Sequence, residues 1–422
     1  MSSVLIVGCG VFGLSTALEL SRNGYKVTAI DRYPVPSPWS AACDYNKIIR
    51  TEYNEICYTK MSVEALEMWR NDPLYKDVYN ECGRVLITPP SAAKRNEFEL
   101  QSIECLKSIG QGQKIELFKG SKVLGEKFKE LEFNSIEDDI LIKFNPEGGL
   151  GHAANSLKAV FNECLTNGVN FRFGSSGSAV EIKVIDGVEY VITEDGSKYT
   201  ADKIIISSGA STGKLLDLKT QQSATGLFVS HIRLTQDEFE RYKDMPIVFD
   251  SVRGYFFPPD PETNIIKIAL PGSGASNLKD GVSLPRYKLQ NPADTMPKDC
   301  VKTVKTLLSK YVPDLAYHKL FNHKACWVAD TADSHFIIDK VPYYSKVYVA
   351  SGDSGHGFKL LPNIGKYIRQ RLEETLSSEL STYWRWRDDA KAFDASECDW
   401  RVVTENLDFS QIDWLVDENP KL

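Results

Sequence analysis

The sequence lacks most of the features that settle a protein's class at once. It has no CxxC pair and no cysteine–histidine cluster with zinc-finger spacing, which excludes a structural zinc module. Its nine cysteines are scattered and odd in number, unlike a disulfide-stapled secreted scaffold, and fit free thiols in a reducing compartment. No basic patch stands out: 50 Lys+Arg stand against 57 Asp+Glu, a formal charge of −7, so no nucleic-acid partner is expected. No apolar run reaches the ~18 residues of a membrane span, and no membrane association is expected. The apolar start, Val4 to Leu20, has no charged n-region and is interrupted by glycines at 8, 10 and 13, so it reads neither as a signal peptide nor as an anchor. Internal repeats, low-complexity tracts and long disordered linkers are missing too. What remains is ordinary globular composition, 42% hydrophobic and 25% charged, in a chain of 422 residues. That is room for two or three domains, or for one large fold with an insertion.

The start of the chain carries the first positive signal. Val4–Val7 is a short all-apolar run suited to a central parallel strand. Gly8-Cys9-Gly10-Val11-Phe12-Gly13 follows, then a helix-like stretch from Leu14 to Asn23 with Gly24 as its cap, and a second strand, Lys26 to Ile30. Asp31 comes 18 residues after the third glycine, followed by Arg32. Gly8 permits the tight turn, Gly10 lets backbone approach a pyrophosphate, and Gly13 lets the helix sit close to the strand. The helix N-terminus at Val11 and Phe12 offers free N–H groups to phosphates, and Asp31 can accept hydrogen bonds from ribose hydroxyls. The motif does not separate NAD from FAD.

Later segments complete a parallel-sheet fold. A hairpin with an Asp195-Gly196 turn spans 189–200, a buried strand with a small-residue loop spans 201–211, and a strand at 346–351 leads into a helix at about 362–376. Strands are also expected at 245–257 and 265–270, and helices at 92–109 and 298–311. The Gly-, Ser-, Pro- and Asn-rich stretch 272–298 reads as a mobile loop near a substrate entrance.

Five blocks occur in a telling order: the N-terminal fingerprint, Asp44-Tyr-Asn-Lys-Ile-Ile-Arg50, Ala201-Asp-Lys-Ile-Ile-Ile-Ser-Ser-Gly-Ala210, His323-Lys-Ala-Cys-Trp-Val-Ala-Asp-Thr331 and Gly352-Asp-Ser-Gly-His-Gly-Phe-Lys359. Together they resemble the flavin-dependent amine oxidases of the monomeric sarcosine oxidase group. The resemblance is greatest to the fungal branch of fructosyl amino acid oxidases (amadoriases), saccharopine oxidases and pipecolate oxidases. It implies an α/β fold with an α+β second part: a Rossmann-type FAD-binding domain (1–85, 146–225 and 322–422) interleaved with an antiparallel-sheet substrate domain (86–145 and 226–321). It also implies oxidation of the C–N bond of an N-substituted amino acid, with O2 reduced to H2O2, by a monomer. A fructosyl amino acid is the first substrate reading, with saccharopine or pipecolate, then sarcosine, as alternatives. An NAD-dependent dehydrogenase and a flavin-binding protein without turnover are the distant ones.

The same resemblance assigns residues. Cys326 falls at the position that carries FAD as a cysteinyl thioether, although most single cysteines are inert packing residues. Lys267, in an otherwise apolar strand, falls where a lysine lies over the flavin and promotes reduction of O2; strand alternation alone would make it a solvent-facing residue. Tyr255 and His356 match active-site positions. Arg50 and Lys359 match a clamp for the substrate carboxylate, and Arg387, in Tyr383-Trp-Arg-Trp-Arg387, matches an arginine that reaches the amadoriase site. Asn46, Lys47, Asp353, Gly355 and Gly357 join the glycine turn, Asp31, Arg32, Cys326 and Lys359 as cofactor contacts, and no metal is implied. Two positions depart from the patterns. Val328 stands where sarcosine oxidases have a tyrosine, and Pro258 stands where amadoriases commonly have a glutamate that holds the sugar. The final Pro420-Lys421-Leu422 differs from a Ser-Lys-Leu peroxisomal address at its first position, so the expected compartment is the peroxisome or the cytoplasm.

Overall fold

The computed structural model of the protein describes residues 2–120, 122–133, 136–137, 139–398, 401 and 405–416. The terminal tripeptide lies outside the described residues. The apolar run at the start forms the strand Ser3–Val7, which pairs in parallel with Lys26–Ile30 on one side and Lys203–Ile206 on the other. Val4 sits opposite Val27 and Lys203. With Asn170–Arg172 at one edge and Val347–Ser351 and Ile337–Lys340 at the other, these strands make a six-stranded sheet. Only the Ile337–Lys340 edge strand runs antiparallel. Its central strands read as unbroken apolar runs because both faces are covered: Val11–Arg22 packs with Ala153–Thr166 and Ile364–Leu372, and Leu5, Val7, Ile204 and Ile206 face a separate apolar cluster.

A larger sheet stands beside the first. Its order is Phe321–Asp330, Ser223–Arg233, Ile265–Ser276, Gly254–Phe256, Ile247–Asp250, Arg84–Thr88, Leu141–Asn145 and Glu116–Lys119, with Glu405–Asp408 alongside Ile265–Ser276. The helices Ala93–Ser108 and Cys300–Tyr311 come from the same part of the chain. Their bounds agree closely with the expected helices. The run expected at 245–257 is split into Ile247–Asp250 and Gly254–Phe256, and the strand expected at 265–270 continues to Ser276, into the stretch read as a mobile loop. One boundary differs. The segment 322–422 was expected with the cofactor sheet, yet Phe321–Asp330 and Glu405–Asp408 lie in the larger one. Phe321–Asp330 is held there by antiparallel pairing with Ser223–Arg233, Cys326 opposite Leu227, a long-range pairing that local pattern does not specify.

A three-stranded sheet of Asn46–Ile49, Gly149–His152 and Tyr79–Asn80 carries the Asp44–Arg50 block. The long helices Ile56–Asn71 and Ala153–Thr166 were not anticipated. Each buries polar positions such as Thr59, Ser62 and Ser156, which blurs an amphipathic pattern.

Candidate functional site

A cavity of about 740 Å³ runs from the glycine turn of the first sheet to the second sheet. That size suits a small-molecule or cofactor site. Its first end is built from the turn. Gly8 has φ +106°, and a Cβ there would lie 2.4 Å from the Ser207 carbonyl oxygen. A Cβ on Gly13 would lie 1.9 Å from the Gly8 carbonyl oxygen. Gly10 by contrast opens onto space, its nearest neighbour being Ser40 Oγ at 4.0 Å. The turn is therefore closed towards the protein and bare where a pyrophosphate would lie. The helix begins at Val11 with Gly10 as its N-cap, and no side chain caps it. Asp31 accepts hydrogen bonds from Cys9 N (2.7 Å) and Tyr33 N (3.1 Å), and burial pushes its carboxyl up. Arg32 also lines this end, where its guanidinium meets Glu194 at 3.3 Å.

The middle of the cavity is closed by Ser207–Ser211, Gly355, Gly357 and the outer pair Trp39 and Tyr287. A Cβ on Gly357 would meet the Phe12 ring at 2.9 Å, so the loop after Val347–Ser351 is pressed onto the first helix. Asp353 lines the cavity, with Oδ1 accepting from Ala329 N (3.1 Å) and Oδ2 from Gly355 N (3.3 Å). Burial, reinforced by Asp330, pushes its pKa up to about 6. The stretch 272–298 contributes Pro285, Arg286 and Tyr287 to the outer wall, and Tyr287 is tied down by a hydroxyl contact with Ser211 at 3.1 Å.

The far end lies on the large sheet. Cys326, Lys267, Tyr255, Val229 and Ala269 all line it, with Lys47 entering from the three-stranded sheet. The first part of the strand Ile265–Ser276, 265–270, is buried on both faces: Ile266 and Ile268 face an apolar core, while Lys267 faces the cavity at 1% exposure. The expectation from alternation, a solvent-facing lysine, thus fails because this strand has no solvent face. Lys267 Nζ reaches Asp44 Oδ2 at 2.6 Å and the Asn46 carbonyl at 2.8 Å. Burial is the larger influence and lowers its pKa to about 8, with Asp44 opposing. Asp44 also holds Lys47 at 3.2 Å. Burial works against the Asp44 carboxylate, but Lys267, Lys324 and Lys47 together hold its pKa well below the usual range. Tyr255 stacks on Phe249 at 4.8 Å, and burial raises its phenol to about 12.

Four further residues gather beside the cavity, not in its wall. Lys359 follows the lining residues Gly357 and Phe358, and among the described residues its side-chain nitrogen donates only to the His356 carbonyl, at 3.0 Å. Burial, then Arg50 and Arg84, push its pKa well below that of an ordinary lysine. The Arg50 guanidinium lies 4.4 Å from the Tyr53 ring centroid; it has no ion pair, and its Nη1 no hydrogen-bond partner, among the described residues. Arg50 and Lys359 are thus brought together as two buried basic side chains with no ion-pair partner among the described residues. His356 faces away from the cavity: its Nε2 lies 2.8 Å from the Ser334 carbonyl and its Nδ1 3.2 Å from Tyr53 Oη. Burial, with Lys359 adding, keeps it neutral at pH 7, so Nε2 carries the proton and Nδ1 accepts from Tyr53.

Two expected contacts are not brought to the cavity. Arg387 is taken up by Asp333 (2.9 Å), the Tyr383 carbonyl (2.9 Å) and the His335 carbonyl (3.4 Å). Asn46 is buried beneath Lys267 and offers it a backbone carbonyl. Residue-by-residue reading overlooked Asp44 as the hub of three lysines, although it stood in a quoted block. It also overlooked Tyr53, which bridges Arg50 and His356. No group of acids, histidines and cysteines suited to a metal occurs among the described residues.

The cavity therefore has the size for an extended dinucleotide, with Cys326, Lys267 and Tyr255 lining the end away from the glycine turn. Comparison with known proteins agrees. A family model described as FAD dependent oxidoreductase matches residues 3–371. The chain is 40% identical to L-saccharopine oxidase of Schizosaccharomyces pombe, over 99% of both chains. It is 26% identical to monomeric sarcosine oxidase of Bacillus sp., over 87% of this chain and 92% of that one. Fructosyl peptide oxidase from E. terrenum superposes with a TM-score of 0.90 at 31% identity, covering 99% of this chain and 98% of that one.

Proposed function

The chain belongs to the FAD-dependent oxidoreductase family, and from that premise we propose that it oxidises the C–N bond of an N-substituted amino acid, with O2 as final acceptor and H2O2 as product. The observation that carries this reading is the pair Arg50 and Lys359: two buried basic side chains with no ion-pair partner among the described residues, next to Gly357 and Phe358 in the cavity wall. A substrate carboxylate supplies the missing anion and fixes the adjacent amine against the Tyr255 end. FAD, when bound, supplies the two-electron acceptor for the C–N bond and the route of those electrons to oxygen.

The residues of the chain bind, orient and set charge. Lys267 and Lys47 make this end positive, which disfavours a protonated amine and selects the neutral one. No group poised as a strong base lines the cavity. Asp353 has both oxygens engaged, the Tyr255 phenol is raised to about 12, and none is needed once the amine enters neutral. Lys267, held by Asp44, places a positive charge where negative charge develops on oxygen. Cys326 Sγ, which lines the cavity, would be the covalent anchor of the flavin, and Asp31 and the glycine turn would hold the other end.

Within this class the second substituent on nitrogen is sugar-derived, as for fructosyl peptide oxidases, or an acidic arm, as for saccharopine oxidase. Pro258, buried just after the strand Gly254–Phe256, offers no side-chain acceptor to a sugar. We place the enzyme as a monomer in the peroxisome or cytoplasm, read by gel filtration and by imaging a tagged full chain. The deciding experiment is oxygen consumption and H2O2 release by the flavin-loaded enzyme with a fructosyl amino acid, saccharopine, pipecolate and sarcosine. Failure of all four to bleach the flavin anaerobically overturns the reading.

A further inference from the structure

The reaction needs a neutral amine, yet an N-substituted amino acid in water at neutral pH is a zwitterion whose amine still holds its proton. Binding the neutral form therefore has to place one proton elsewhere. Lys267 and Lys47, at the Tyr255 end of the cavity, pair as cations with Asp44, and Asp353 has both oxygens engaged. None of these three is open to it. A base does stand in the carboxylate clamp itself.

Lys359 is 5% exposed. Its Nζ lies 3.0 Å from the His356 carbonyl and 5.6 Å from the centroid of the Tyr53 ring. The Arg50 guanidinium lies 4.4 Å from the centroid of the same ring, so two basic groups share one aromatic ring with no carboxylate between them. Arg50 keeps its proton in any protein environment; a buried lysine does so only with a partner. The charged groups that face Lys359 come from three parts of the chain. Arg50, just after the strand Asn46–Ile49, and Arg84, at the start of Arg84–Thr88, oppose a charge on it; Asp353, in its own loop, and Glu52 favour one. Both acids are engaged elsewhere. Glu52 holds Arg84 at 3.2 Å and Lys143 at 3.3 Å, and Asp353 accepts from backbone N–H groups. His356, which is neutral, and Tyr53 bring a carbonyl and a ring. Burying a lone charge beside a permanent like charge costs more than releasing its proton, and burial, then Arg50 and Arg84, set Lys359 well below an ordinary lysine.

A carboxylate placed between Arg50 and Lys359 reverses that balance, because the anion favours a charge on the amine beside it. We propose that Lys359 is neutral in the free enzyme and takes up the proton that the substrate amine gives up as its carboxylate enters the clamp. The transfer breaks one N–H bond of the substrate ammonium and forms one at Lys359 Nζ. The substrate nitrogen keeps the electron pair, nothing is oxidised, and no further reactant is needed. The substrate arrives as a zwitterion and is held with a paired carboxylate and a neutral amine. This rests on the amine-oxidase reading of the site and gives Lys359 a task beyond holding the anion.

The test measures binding to the flavin-loaded enzyme without oxygen, from pH 6 to about 9.5, by flavin absorbance. Propionate is a carboxylate with no amine, so Lys359 has to draw its proton from water. The Kd of propionate is expected to rise about tenfold per pH unit wherever Lys359 is neutral in the free enzyme. An indicator dye is expected to report about one proton taken up per propionate bound. In Lys359→Arg, whose charge is permanent, slope and uptake are both expected to collapse; Lys267, which titrates at about 8, is untouched by that substitution. The apparent Kd of an oxidisable amine, read from the rate of flavin reduction against its concentration, is expected to stay flat over the same range. A permanently charged Lys359 reverses both results: propionate binding is flat, and amine binding tightens as pH rises. Either result, or a propionate slope as steep in Lys359→Arg as in the wild type, overturns the proposal. Should the variant fail to fold, the proton count on the wild-type enzyme decides: one with propionate and none with the amine. Absence of propionate binding together with absence of flavin reduction by the four amines named above overturns the underlying reading instead.

Discussion

Lys267 and Lys359 are both buried lysines, yet among the described residues Lys267 forms an ion pair and Lys359 does not. Asp44 lies 2.6 Å from Lys267 Nζ and keeps its pKa from falling below about 8 against the cost of burial. Lys267 is therefore charged at neutral pH and loses its proton as pH rises through about 8. If that charge assists oxygen, reoxidation of the reduced flavin slows on the alkaline side, while reduction by a neutral amine does not. Lys267→Met is expected to slow reoxidation by orders of magnitude and to leave anaerobic reduction largely intact; stopped-flow absorbance separates the two. Unchanged oxygen reactivity in that variant removes the assignment. Cys326 makes a second prediction at this scale. Its side chain is 8% exposed and lines the cavity beside Lys267 and Tyr255. Acid-precipitated wild-type protein is expected to stay yellow, and Cys326→Ala to release its flavin into the supernatant. A colourless wild-type pellet excludes the thioether.

The glycine turn is the element on which cofactor binding depends, and its geometry makes a sharper demand than its motif. A Cβ on Gly13 would stand 1.9 Å from a backbone carbonyl, which has no flexible end to swing aside. Overpacking of this kind costs about 1–3 kcal/mol, and more where backbone must shift. Gly13→Ala is expected to lower the flavin-to-protein ratio and the Tm together, whereas Gly10→Ala, facing open space, is expected to lower flavin content with little change in the Tm of the flavin-free form. This element was legible in the sequence because strand, turn, helix and acid are contiguous and each leaves a local signature. The Ile265–Ser276 strand was legible as a strand but not in its facing. Its apolar neighbours are buried on one side and its lysine is buried on the other, and alternation cannot separate a cavity face from a solvent face. The sheet that Phe321–Asp330 joins was not legible for a related reason: its partner, Ser223–Arg233, is about a hundred residues away in sequence. The clamp residues Arg50 and Lys359 could be named only through family resemblance, since nothing local marks a buried basic side chain without an ion-pair partner.

At the scale of the whole molecule, the buried carboxylates decide how the fold answers acid. Glu99 sits on the helix Ala93–Ser108 and joins it to Lys143 on the strand Leu141–Asn145. Glu52 joins the same lysine to Arg84 on Arg84–Thr88. Burial opposes the charge of Glu99, but Arg95 and Lys143 outweigh it and hold its pKa down at about 2. A carboxyl depressed in this way contributes stability that is complete above its unfolded value, about 4.3, and is lost as pH falls through the folded value. Asp353 acts in the other sense. Raised to about 6, it costs stability at neutral pH, and the cost is relieved as pH falls from about 6 towards about 4. The flavin-loaded protein is therefore expected to hold or gain stability on mild acidification and to lose it steeply below about pH 4. Glu99→Gln tests the cluster directly. Removing one partner of a buried ion pair costs about 3–5 kcal/mol, so urea denaturation at pH 7 is expected to show a loss of that order. Near pH 2–3, where the wild-type carboxyl is itself becoming protonated, the difference between the two proteins is expected to shrink. A constant difference across that range means that Glu99 acts through packing and not through its charge.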